Sequence, residues 1–160
     1  MADPMVRQLT ILLDGLQEKE QALSEIVNIT DNQRTVIESG LDAAAVREFL
    51  MEMNKVKQGF IETVKRCDNM FEEMLKDVGP ELDAKQHLYK KQVADMQKHI
   101  RKIMALDVQV RTQEEENNAL LLALSPPDFS LTGRKPKPVA IPPDSARVIK
   151  AYEEEKRFRG

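Results

Sequence analysis

The sequence predicts an all-α protein: an antiparallel bundle of three long helices over residues 1–124, then a proline-rich tail, 125–160, carrying one short helix at about 145–156. Three observations predict it. Charged residues make up 32% of the chain and aromatics 4%, with no Trp, a composition that favours long helices over sheets. Apolar residues recur at three-to-four spacing through most of the first 124 positions, the period of one helix face. Six of the eight prolines fall after residue 125, where no long helix can propagate.

The first helix starts at Asp3-Pro4, an Asp cap followed by Pro at the first helical position. Its stripe is Leu9, Leu13, Leu16, Leu23, Val27 and Ile37, interrupted by Glu20, Thr30 and Arg34, with a second contact face in Ile11, Leu12 and Ile26. It is expected to stop at Ser39-Gly40, where glycine can take the left-handed conformation. The second helix has Asp42 as its cap and the helix formers Ala43, Ala44 and Ala45 behind it. Its stripe runs Val46, Phe49, Met53, Val56, Phe60, Val64, Cys67, Phe71, Met74 and Val78, and the break is expected at Gly79-Pro80. The third helix is expected to begin near Pro80, on Leu82, Tyr89, Val93, Met96, Ile100, Ile103 and Val110. Its seam weakens at Asp107, Glu114 and Asn117, and apolar character returns at Leu120, Leu121, Leu122 and Leu124. At a rise of 1.5 Å per residue the three helices measure roughly 50, 55 and 65 Å. The third would then project beyond its neighbours. Very short connections make consecutive helices antiparallel.

The tail differs in kind. Ser125-Pro126-Pro127, Lys135-Pro136-Lys137-Pro138 and Pro142-Pro143 read as an extended, semi-rigid linker. Asp144-Ser145 can then cap the short helix, whose Val148, Ile149 and Tyr152 share one face, with Phe158 following. The tail carries eight Lys/Arg against five Asp/Glu, or +3; the remainder carries 16 against 22, or −6. The net charge of −3 argues against non-specific nucleic-acid binding.

The longest apolar run, 119–124, is six residues, far short of the about 20 that a spanning helix needs. No secretory signal pattern is visible at the N-terminus. One cysteine, Cys67, permits no intramolecular disulfide and fits a reducing compartment. A cytoplasmic protein is expected.

Little in the sequence suggests catalysis. Asp83/His87 and Asp95/His99 are each four residues apart, but the pairs do not converge on one helix face. There is no glycine-rich phosphate loop or paired zinc-ligand motif, and two histidines offer no nucleophile-base set. Cys67 reads as a small buried hydrophobe. We expect no enzyme, cofactor or metal. Met53, Met74 and Met96 lie on the stripes as core filler, whereas Met51, Met70 and Met104 lie off them. The expected binding residues are Leu120, Leu121, Leu122 and Leu124, exposed if the third helix overhangs, and Val148, Ile149 and Tyr152 in the tail.

The layout resembles the FlgN family of flagellar type III export chaperones over roughly residues 5–124. The first hairpin carries the likeness: Gln17-Glu18-Lys19-Glu20 on a long polar helix, then Gly40-Leu41-Asp42-Ala43 leading into another Glu/Lys-rich helix. Asn117-Asn118-Ala119-Leu120-Leu121 resembles the family's third-helix ending, and Arg147-Val148-Ile149-Lys150-Ala151-Tyr152 its C-terminal segments. The resemblance implies a chaperone that binds the helical ends of the hook-filament junction proteins FlgK and FlgL, keeps them unpolymerised, and delivers them to the export gate protein FlhA. It also implies gate docking through a C-terminal tyrosine, here Tyr152. The alternative is a structural coiled-coil spacer without a client. Either form could be a monomer or a homodimer.

Overall fold

In the computed structural model, which describes residues 3–124, the chain forms α1 (Pro4–Ile37), α2 (Ala43–Ala84) and α3 (Lys90–Leu124). A single 3-10 turn, Gln86–Leu88, links α2 to α3, and there is no strand among the described residues.

The helix starts follow local chemistry. Asp3 accepts the Met5 N–H at 2.9 Å with Pro4 in the first turn, and Asp42 accepts the Ala45 N–H at 2.8 Å. Each cap satisfies one of the amides that a helix start leaves without a partner. Between α1 and α2, Gly40 takes φ +81°, a left-handed backbone that glycine adopts without a Cβ clash.

The second connection departs from the expectation. Gly79-Pro80 does not end the helix: α2 runs through Pro80 to Ala84, and α3 begins at Lys90 rather than near Pro80. Pro80 withholds one intrahelical N–H, at a typical cost of about 3 kcal/mol. Val78 and Leu82, buried on either side of it, hold the helix against α1. The chain breaks instead where burial stops, since positions 83–88 are all exposed. With 42 residues against 34 and 35, α2 is the longest helix, and α3 does not overhang.

The helix directions follow from the pairs that bridge them. Lys19 meets Asp68 and Gln33 meets Asn54, so α2 runs antiparallel to α1. Asp3 meets Tyr89, Val27 meets Gln113 and Thr30 meets Asn117, so α3 runs parallel to α1. This is the expected up-down-up bundle. α1 packs along both other helices, while α2 and α3 stand farther apart and meet through long side chains.

The core has two unequal parts. The larger runs from Met5 and Tyr89 at one end to Ile26, Ile61 and Val110. The smaller holds Ile37, Val46, Leu50 and Leu121 at the other end. On α2 the expected Val46, Val64, Cys67 and Val78 are buried and Phe60 packs partly on the core. Between them the face turned inward is Leu50, Asn54, Lys57 and Ile61, not the expected Phe49, Met53 and Val56. The two rows lie side by side on the helix, and packing selects the more polar one. Ile11, expected on a second contact face, is exposed.

Candidate functional site

Between the two apolar clusters lies a layer of buried polar side chains drawn from all three helices. Lys57 on α2 is fully buried. Its Nζ donates to Glu114 Oε1 on α3 at 2.5 Å and to Gln33 Oε1 on α1 at 2.7 Å. Gln33 Nε2 donates to Asn54 Oδ1 at 2.7 Å. Asn117 Nδ2 donates to the Thr30 carbonyl at 3.0 Å, and Thr30 turns its hydroxyl back to the Ile26 carbonyl at 2.7 Å. A buried charge is tolerable only when paired and hydrogen-bonded, and this layer supplies both.

A second buried cation stands further down α1. Lys19 pairs with Asp68 at 2.6 Å, and Asp107 on α3 is buried too. At the rim, Glu20 contacts His99 and lies 3.8 Å from Lys102, and Arg34 bridges Glu38 and Glu116. Of the polar residues that interrupt the seams in sequence, Thr30, Asp107, Glu114 and Asn117 are buried inside the bundle, whereas Glu20 and Arg34 lie at its rim. Gln33, Asn54 and Lys57 were not singled out in the sequence, and Lys19 was named only within the family resemblance. Asn54 and Lys57 do lie on a four-three ladder with Leu50, Ile61 and Val64, but that spacing alone does not mark a lysine as buried.

The leucine cluster divides. Leu121 is buried against Ile37, Val46 and Leu50, and Leu120 packs partly on that group. Leu122 and Leu124 remain 41% and 45% exposed. The α1–α2 end of the bundle thus covers half of the cluster. Val148, Ile149 and Tyr152, with the whole tail and the short helix expected in it, lie outside the described residues.

Other candidates resolve as follows. Cys67 is buried, and burial pushes its thiol up to about 11, with the nearby Glu18 carboxylate adding to the shift. Asp83 and His87 do not share a helix, since α2 ends at Ala84. His99 turns to Glu20 of α1. Met70, off the sequence stripes, reaches across to Gly15 in α1, where its terminal methyl occupies the space a Cβ would take. Met51 and Met104 are exposed.

Among the described residues no group of three or more His, Cys, Asp or Glu is arranged to hold a metal ion. No described helix is long and apolar enough to cross a membrane. No protein-family model, no curated protein and no solved structure matches this chain.

Proposed function

We propose that this protein is a binding protein rather than a catalyst: an export chaperone of the FlgN type that holds an amphipathic terminal helix of a FlgK- or FlgL-like client. The observation that supports this most is the pair Leu122 and Leu124, exposed at the end of α3. They sit on a helix whose preceding turn is fixed by Leu121. Leu124 lies one turn beyond the partly buried Leu120 and Leu122 faces the other side of the helix, so the end of α3 offers apolar contacts on two sides to a client that presents its own apolar stripe. The −6 charge of residues 1–124 suits a basic or neutral helix. In this reading Tyr152 contacts an FlhA-like gate and the bundle acts in the cytoplasm.

The test is binding of helical C-terminal peptides of FlgK- and FlgL-like proteins to the full chain, compared with a Leu122→Glu/Leu124→Glu variant. Both leucines are exposed, so the variant keeps its helix content and melting temperature. The expected result is micromolar binding by the native chain and a loss of about tenfold or more in the variant. No binding of either peptide at micromolar concentration ends the reading.

A further inference from the structure

One apolar row on α2 is left uncovered. Phe49, Met53, Val56 and Phe60 recur at four-three-four spacing and share a helix face. Phe49 and Val56 are 53% and 58% exposed and Met53 is half-buried, while Phe60, at the far end of the row, packs partly on the larger core cluster. The row runs beside the face that carries Leu50, Asn54, Lys57 and Ile61 into the bundle, and is about 17 Å long at the helical rise. Four neighbouring apolar side chains on one helix face form a seat for a second helix.

We propose that this row is the docking site of the chain's own C-terminal segment, 145–158, with Val148, Ile149 and Tyr152 laid against Phe49, Met53 and Val56. Three features select this occupant. The chain leaves the bundle beside the row: Leu121, one turn before the end of α3, packs on Val46 and Leu50, and Leu50 adjoins Phe49. The 125–144 connection is long enough, since a proline-rich chain extends about 3 Å per residue and the row spans a fraction of that reach. Over the whole chain the charges oppose, +3 in the tail against −6 in the body. Beside the row the exposed Glu48 can meet Arg147 or Lys150, which flank the tail's apolar residues, while Glu52 pairs with Lys55 at 3.1 Å. A helix this short is marginal alone. Tethering supplies an effective concentration on the order of millimolar, so weak docking suffices. The inference stands on the row and the tail, not on the client of the proposed chaperone.

The test uses the full chain with a spin label at Glu154→Cys, opposite the tail's apolar face, and reads the broadening of backbone amide signals. Cys67, buried with a raised thiol pKa, stays unlabelled, which the unsubstituted chain verifies. The expected result is selective broadening of residues 49–60 that disappears in a Phe49→Glu/Val56→Glu variant of unchanged helix content. Both substituted positions are exposed, so the bundle survives them. Broadening centred elsewhere, or none, overturns the proposal. So does broadening that appears only between chains, when spin-labelled and isotope-labelled proteins are mixed, because the occupant is then a second copy. No client is present in the measurement, so its outcome and the outcome of peptide binding are separable.

Discussion

Lys57 Nζ and Glu114 Oε1 stand 2.5 Å apart with neither side chain reaching solvent, and Gln33 Oε1 accepts a further bond from the same ammonium. Removing one member of such a pair strands the other, typically at about 3–5 kcal/mol, whereas replacing both with apolar residues is often neutral or better. Lys57→Met alone is therefore expected to lower unfolding stability by about 3–5 kcal/mol. Lys57→Met/Glu114→Leu should recover most of that loss. Urea unfolding of the two single variants and the double variant measures it; a loss below about 1 kcal/mol in Lys57→Met would mean that the Glu114 carboxylate left behind reaches water or takes up a proton.

At the other end of the bundle Asp3 has two duties. It caps α1 through the Met5 N–H and accepts the Tyr89 hydroxyl at 2.9 Å. That hydrogen bond also raises the Tyr89 pKa above its ordinary value. Asp3→Ala should cost about 1–2 kcal/mol by losing the cap together with the tyrosine bond. Tyr89→Phe should cost about 0.5–1.5 kcal/mol. The double variant should lose less than the two single losses together, because the bond is shared. Strict additivity in thermal unfolding would show that the two residues do not interact.

Cys67 gives the bundle an alkaline limit. The fold favours its neutral thiol, with a pKa of about 11 against an ordinary 9. A raised folded-state pKa supplies stability that is fully present below about pH 9 and is lost as pH climbs towards 11. Two units correspond to about 2–3 kcal/mol. Urea midpoints across that window should fall more steeply for the native chain than for Cys67→Ala. Alkylation of Cys67 near pH 8 should be slow in buffer and fast in denaturant.

Leu121 and Leu122 are neighbours in sequence with opposite surroundings, one buried on Ile37, Val46 and Leu50 and the other exposed. Leu121→Ala should destabilise by about 2–4 kcal/mol, and Leu122→Ala by within about 0.5 kcal/mol. Comparable losses would mean that the end of α3 frays and both leucines share one environment.

Much of the scaffold was legible before any coordinates. Asp3-Pro4, Gly40 and Asp42 marked helix ends because capping is local chemistry. Short connections set the helix directions. The misreadings have a common cause. On α2 two adjacent ladders compete, Phe49 to Phe60 and Leu50 to Ile61, and counting apolar residues favours the first. The second is buried because Lys57 meets Glu114, a residue 57 positions away, and no periodicity within α2 carries that information. Pro80 likewise reads as a stop until Val78 and Leu82 are seen packed on α1. Among the candidate binding residues, the sequence marked the leucine cluster but not its division, which depends on where the end of α3 meets Ile37, Val46 and Leu50.

The polar layer also decides which alignments of the helices are possible. Apolar stripes alone are forgiving: slide α3 by seven residues along α1, and Met96, Ile103 and Val110 take one another's places against it. With this layer in place, the same slide moves Glu114 about 10 Å along the helix axis, leaving Lys57 and Glu114 each buried among side chains that cannot answer them. Six polar residues between the two apolar clusters thus act as a key cut for one setting, so that the exposed Leu122 and Leu124 are held at a single height.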